Sequence, residues 1–541
     1  MNTRLGAALL LAVLGGPLVW SAWVALYAGL SSVAWRALEA HPQTLSALGM
    51  SLWTGLTATA LAIIGAAFLL SRSFGQAHWP QGVRLLAPLL AVPHAAFAIG
   101  LAFLLAPSGW ILRALSPWAT GLEAPPPWPT TQDPWGLGLI AVLVFKEIPF
   151  LLWAAATQLQ RAEVAQRWTR ELQLARSLSY SAPSAWWCVV WPQLWPRLRW
   201  PLLAVLAYSL TVVDMAMVIG PTTPPTLAVL AWQWLLDPDP AVNAQGACAA
   251  WALTAVLALT AGVASWIWQV PQQAFWRTRW TQGAHGRLAA STKLGELCFG
   301  ALLGIYGLVM LSLMVGSVAG LWPFPQLLPE ALSLRAWASV WGSLPTLGTT
   351  LSLALASAVA ALVWSVAWLE CAPPAWDQRL RPLLYVPLVL PPVLWVVGVH
   401  GLALSLGVDA RWTGLWLAHT LAAVPYVLIA LSPAYLGFEA RHQQVCASLG
   451  HGRAVFLWRV KWPLLRAALT AGLAIGFAVS VAQYLPTLFI GAGRFSTVTT
   501  EAVTLAAGAQ RSLTSAYALL QWGLPLLVWA WAARWGRARR F

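Results

Sequence analysis

Twelve apolar runs of roughly 20 residues each cross this chain, and no other feature limits its fold as strongly. A run of that length spans the roughly 30 Å hydrocarbon core of a bilayer as one helix. Lipid in turn accepts only segments whose backbone polar groups are paired internally. The runs lie near 7–30, 46–70, 85–106, 136–158, 201–220 and 247–268, then 296–320, 346–369, 383–406, 413–435, 467–490 and 516–533. Composition agrees, with 59% of the 541 residues hydrophobic and 9% charged; a soluble chain is about a quarter charged. So few charges cannot cover several soluble domains, and a disordered chain needs the opposite balance. The reading is an all-α polytopic membrane protein with about twelve transmembrane helices. Its first run, behind Arg4, is too long for a signal-peptide core and reads as an uncleaved span.

The net charge of +15 raises the question of an acidic partner. In a soluble domain such an excess points to nucleic acid. Here 24 of the 31 Lys and Arg residues fall in the even-numbered loops and at the two ends, six fall in the odd-numbered loops, and Lys146 lies within a span. Basic residues gather on the cytoplasmic side of membrane proteins, so both termini are expected in the cytoplasm. Charges spread over seven inner segments do not make a nucleic-acid patch, and no nucleic acid is expected. The 38 tryptophans fit interfacial belts. Five scattered cysteines without a CxxC argue against a disulfide framework and a metal site.

The sequence repeats. Residues 48–69 (LGMSLWTGLTATALAIIGAAFL) echo 347–369 (LGTTLSLALASAVAALVWSVAWL). After the fourth span comes QLARSLSYSAPSAWWCVVWPQLWP (173–196), and after the tenth comes QVCASLGHGRAVFLWRVKWPLLR (444–466). Without gaps, Gln173 meets Gln444, Ala175 meets Cys446, Leu178 meets Leu449, Ser179 meets Gly450, Val189 meets Val460, Trp191 meets Trp462 and Pro192 meets Pro463. The halves are 1–269 and 293–541, joined by a polar, basic linker at 270–292. An even number of spans per half makes the repeats parallel. Apolar spacing around the break at 179–183 predicts two short helices meeting at an angle, the second ended by Pro192. Gly450 and Gly452 allow the same turn in the second copy.

This pattern resembles the EAA loop of binding-protein-dependent ABC importer permeases: Glu-Ala-Ala, three residues, Gly, nine residues, Ile-x-Leu-Pro. Ser179 and Gly450 take the glycine position, Val189 and Val460 the isoleucine, Trp191 and Trp462 the leucine, Pro192 and Pro463 the proline. The glutamate is replaced by Gln173 and Gln444, and glutamine still donates and accepts hydrogen bonds. Two fused domains of this size look most like the thiamine and ferric-iron importer permeases. The resemblance implies two six-helix type I ABC permease repeats. It implies two cytoplasmic ATPase subunits docked on the loops at 173–192 and 444–463, an extracytoplasmic binding protein that delivers a small solute, and an inner-membrane location. It also implies that ATP is used by the partner subunits, because the chain has no GxxxxGK[ST] phosphate loop and not even a GK dipeptide. No catalytic residue, cofactor or metal is expected in the chain itself.

Ionisable and polar groups within spans are candidates for the solute pathway. Asp214 lies towards the outer half of the fifth span, and Gln483 in the eleventh is its expected counterpart. Lys146 and Glu147 are adjacent in the fourth span, where i and i+1 do not face each other, so each is expected to find a separate partner. His94, His400 and His419 stand alone, and no Ser-His-Asp or paired-carboxylate set is recognisable. An ion-coupled secondary carrier using Asp214 or Lys146/Glu147 is the alternative reading, since such carriers also have two parallel halves.

Overall fold

The computed structural model describes residues 3–74, 79–159, 162–178, 180–269, 292–508 and 510–536. Ser179 and nearly all of the expected linker lie outside the described residues. The chain is helical almost throughout, and a single antiparallel bridge joins Ala319 to Leu332 among the described residues. In chain order the helices used below are α1 (Thr3–Ala28), α2 (Thr44–Ser73), α3 (Trp79–Ala91), α4 (His94–Leu105), α5 (Leu137–Leu159), α6 (Ala162–Ser177), α7 (Arg199–Thr211), α8 (Asp214–Ile219), α9 (Pro240–Gln269) and α10 (Thr292–Val318). The second half continues with α11 (Leu344–Cys371), α12 (Pro374–Leu384), α13 (Pro392–Ser405), α14 (Trp412–Leu436), α15 (Ala440–Ser448), α16 (Arg466–Ala482), α17 (Leu485–Gly491), α18 (Val498–Ala506) and α19 (Arg511–Gly536).

The chain forms two compact units whose boundaries do not follow the sequence halves. One is Ser32–Leu332; the other joins Met1–Ser31 to Ser333–Phe541. The first helix of each half is thereby placed in the unit built by the other half. In the Ser32–Leu332 unit, α10 packs against α2 and α4. A side chain at Gly100 of α4 would meet the carbonyl of Val309 at 2.8 Å, so this contact needs a glycine. In the other unit α1 lies along α13, and a Cβ on Gly398 would come within 2.2 Å of the carbonyl of Ser21. Trp364 Nε1 of α11 donates to the carbonyl of Leu10 at 3.0 Å and fastens the same helix.

Helices α2 and α11 carry the repeat into packing. Each has one face of small residues: Ser51, Gly55, Ala58, Ala62 and Ala66 in α2, and Thr350, Ala354, Ser357, Ala361 and Ser365 at the matching places in α11. All ten are buried. Small residues let helix backbones approach closely in lipid, where burial of apolar surface no longer drives association. On α11 the exposed residues Leu351, Leu355, Val359 and Val363 recur at i+4 along the helix, which suits a lipid-facing stripe.

Nine helices among the described residues are long and apolar enough to cross a membrane, or eleven if two sharply bent pairs count as single spans. The difference from twelve has a local cause. The fifth run, 201–220, is split between α7 and α8 at Val212 and Val213, so neither piece reaches span length. The eleventh is split between α16 and α17 at Gln483 and Tyr484. The ninth, 383–406, is interrupted at Leu390 and Pro391, just before α13. Hydropathy registers the run but not an extended residue within it.

Candidate functional site

Both copies of the expected elbow are helix–break–helix segments, and they share an uncommon local structure. In the first, α6 ends at Ser177, and a short helix, Ala182–Ala185, leads into a π-helical turn, Trp186–Val190. In the second, α15 ends at Ser448, and Arg453–Phe456 leads into a π-helical turn, Leu457–Lys461. Each π turn closes on the tryptophan before the proline: Trp191 N–H donates to the carbonyl of Trp186, and Trp462 N–H to that of Leu457. A proline ring clashes with the carbonyl four residues back, and a π turn widens the helix at that place. Pro192 therefore does not end the second helix, as its sequence position predicted. The helical path continues through Trp191–Leu194 and a 3₁₀ turn, Trp195–Leu198, into α7. In the second copy the path runs to Leu464 and bends by 75° into α16, one residue beyond Pro463.

The expected site residues divide between two faces. Ala175 (3% exposed) and Cys446 (7%) point inward, and so does Val189. Val460 and Pro192 are half-buried, while Gln173, Gln444, Gly450 and Pro463 are exposed. Gly450 has φ +76°, the left-handed conformation in which glycine makes the turn without strain. Leu178 (58% exposed) and Leu449 (69%) face outward. One turn before each lies a second exposed apolar residue, Leu174 (64%) or Val445 (58%). These i, i+4 pairs occupy equivalent places in the two copies. Sequence reasoning placed Leu174 on the elbow's helical pattern but did not single it or Val445 out as contact residues; the gap-free alignment of 174 with 445 is the signal that could have found them.

The elbows are closed by different means. In the first, Gln193 joins the two arms: Nε2 donates to Glu171 Oε2 at 2.7 Å, and Oε1 accepts from Trp168 Nε1 at 3.0 Å. Arg167 pairs with Glu171 at 2.8 Å. In the second, the carboxylate of Glu370, at the end of α11, gathers Arg453 at 2.8 Å, the ammonium of Lys461, and the hydroxyl of Tyr435 at 2.8 Å. Trp462 Nε1 donates to the same Tyr435 oxygen at 3.1 Å. Sequence reasoning did not single out Glu370, which lies 91 residues from Lys461.

The pathway candidates sit at helix breaks. Asp214 is the first residue of α8. Gln483 is the extended residue that ends α16. Its structural counterpart is Val212, which ends α7, so the expected pairing of Asp214 with Gln483 is off by two residues; Asp214 matches Leu485. Lys146 is buried in α5, and Nζ donates to the carbonyls of Val92 at 2.7 Å and Leu89 at 3.4 Å. It closes the end of α3 where that helix breaks, between the rings of Phe97 and Tyr306. A cation at a helix C-terminus meets the negative end of the dipole. Glu147 is buried beside it.

The three isolated histidines have three different settings. His94 lies against the ring of Tyr208, and His400 Nε2 is 3.2 Å from Asp409. His419, fully buried in α14, holds both sides of the break in the eleventh span: Nδ1 is 2.8 Å from Ser480 Oγ in α16, and Nε2 is 3.0 Å from Thr487 Oγ1 in α17. Thr487 gives its one hydroxyl hydrogen to the carbonyl of Gln483 at 2.9 Å, so it accepts from Nε2–H. Among the described residues no three His, Cys, Asp or Glu side chains converge as a metal site.

Over 528 residues the chain is 33% identical to the inner membrane ABC transporter permease protein YnjC of Escherichia coli K12, covering 97% of this chain and 94% of that protein. Over 129 residues it is 33% identical to the molybdenum transport system permease protein ModB of Mycobacterium tuberculosis, covering 22% of this chain and 49% of that protein. Over 113 residues it is 23% identical to the spermidine/putrescine transport system permease protein PotC of Haemophilus influenzae, covering 21% of this chain and 44% of that protein. No family model matches the chain.

Proposed function

The chain belongs to the ABC transporter permeases of the inner membrane, and from that premise we propose that it forms the transmembrane pathway of a binding-protein-dependent importer. Two cytoplasmic ATPase subunits dock on the elbows at 173–192 and 444–463. An extracytoplasmic binding protein delivers a small solute, and both termini face the cytoplasm. ATP is bound and hydrolysed by the partner subunits, and the permease itself transforms nothing.

The observation that carries this reading is the pair of matched elbows. Each presents two exposed apolar residues one turn apart, Leu174 with Leu178 and Val445 with Leu449, on a helix backed by a π turn. Exposed apolar residues in register on one helix face are what a helix-in-groove contact uses. Each elbow leads into a broken span, α7–α8 or α16–α17, so movement of an elbow reaches a break through one helix, α7 of roughly four turns or α16 of roughly five. Breaks in membrane helices leave backbone groups free to meet a solute, and Asp214 and Gln483 stand at these breaks as pathway residues. Lys146 and Glu147, offered by the carrier alternative, are a weaker choice, since the ammonium is already committed to the end of α3.

The test is to purify the chain with the ATPases encoded beside it and to follow uptake in reconstituted vesicles. ATP-dependent uptake is expected. Uptake driven by a proton gradient with no ATPase present would overturn the reading.

A further inference from the structure

We propose that Glu370 is a positioning residue that ties the second elbow to α11, so that a pull on this elbow moves α11 as well as α16. The inference rests on the elbow being the docking site for an ATPase and adds a route by which its motion leaves the loop.

Three consecutive parts of the second elbow end on this one carboxylate. Arg453, which opens the helix after the break, donates from Nη2 to Glu370 Oε2 at 2.8 Å and to the Glu370 backbone carbonyl at 2.9 Å. Lys461, the last residue of the π turn, pairs with Oε1, and its Nζ sits 4.0 Å from the centre of the Tyr435 ring. Trp462 reaches the carboxylate through the Tyr435 hydroxyl. Glu370 occupies the final turn of α11 and is mostly buried, as is Lys461. Charge-assisted hydrogen bonds in such a setting are about twice as strong as neutral ones, and they are directional. The elbow cannot rotate without carrying the end of α11 or breaking several of them together.

Among the described residues the first half shows no such ionic joint. Its aligned positions are Ser71 for Glu370, Ala182 for Arg453 and Val190 for Lys461; of the second elbow's set only the tryptophan recurs, as Trp191. Ser71 Oγ donates to the carbonyl of Phe68 within its own helix. The first elbow is closed on itself through Gln193, Glu171 and Trp168. The two elbows are therefore fastened differently: the second to α11 through ion pairs and directed hydrogen bonds, the first to α2 through packing of the short helix Ala182–Ala185 against it.

The test uses the full chain assembled with its ATPases in lipid, with the five native cysteines replaced. Nitroxide labels go at Val363 of α11 and Leu527 of α19, both exposed and both in the same unit. Pulsed electron resonance reads the label distance without nucleotide and after trapping with ATP and vanadate. A nucleotide-dependent shift is expected in the parent. It should be lost in Glu370→Gln, which keeps the side-chain size, and recovered in Glu370→Asp, which restores the charge. Ser71→Ala, at the first-half position aligned with Glu370, should leave the shift unchanged. ATPase co-purification serves as the control: a parent that binds no ATPase counts against the proposed function, whereas a Glu370→Gln protein that binds ATPase and shifts like the parent overturns this inference. If Glu370→Gln does not fold, Arg453→Gln with Lys461→Gln asks the same question from the elbow side, and an undiminished shift there overturns it equally.

Discussion

Ser51 Oγ accepts the backbone N–H of Leu227 at 2.8 Å. The second half repeats this contact: Thr350 Oγ1 accepts the N–H of Val498 at 3.0 Å while donating to the carbonyl of Thr346. Leu227 and Val498 are the first residues of equivalent helices, Leu227–Leu235 and α18. A helix start buried in lipid-facing protein has backbone donors that no water can satisfy, so each half borrows a hydroxyl from its second span. Ser51→Ala and Thr350→Val should each lower stability by about 1 kcal/mol, the usual worth of one hydrogen bond. The two residues lie in different units, and the losses should add within about 0.5 kcal/mol. Thermal denaturation in detergent measures both.

The exposed apolar pairs should carry ATPase binding. Leu178→Asp and Leu449→Asp each place a charge where an apolar groove is expected, and either should weaken ATPase co-purification by about tenfold, as for a side chain central to an interface. Membrane insertion and yield should not change, because both leucines are exposed in the free chain. The double variant should lose the ATPase entirely. Retention of the ATPase by the double variant would remove the docking role.

Gly450 separates backbone strain from crowding. A Cβ added there meets nothing within 4 Å, so a substitution is felt only through the backbone at φ +76°. Gly450→Val should cost about 1–2 kcal/mol in the elbow and reduce transport, whereas Gly450→Asn, which tolerates this conformation, should stay close to the parent. ATP-driven uptake by the two variants in vesicles makes the comparison. Pro463→Ala restores the missing N–H and should straighten the π turn, with a fall in transport and little change in yield.

His419 is a brace rather than a ligand. With both ring nitrogens engaged across the break between α16 and α17, His419→Leu should destabilise the chain by about 1–3 kcal/mol through the polar partners it leaves unmatched. His419→Gln, which can both donate and accept, should recover part of that. Treatment of the parent with a strong chelator should leave its melting temperature unchanged. A chelator-sensitive melting point that disappears in His419→Leu would point to a metal instead.

Properties written along the chain were readable from the chain. Apolar length set the helices, because lipid leaves the backbone no other way to satisfy its polar groups. The gap-free match of 173–196 with 444–466 located both elbows, since an elbow is a local structure whose break and proline sit a fixed distance apart. Tertiary structure alone decided what depends on partners far away in sequence. The extended residues Val212 and Gln483 interrupt spans that hydropathy reads as continuous, and His419 braces one of those breaks from 61 and 68 residues away. Lys146 finds the end of α3 at Val92, 54 residues off, instead of its neighbour Glu147. The exchange of the first helix between halves depends on close approaches such as Gly398 to Ser21, whose residues come from different halves of the sequence. Glu370 looks in the sequence like any acid at the end of a span; only the arrival of Arg453 and Lys461 at the same point in space makes it a joint.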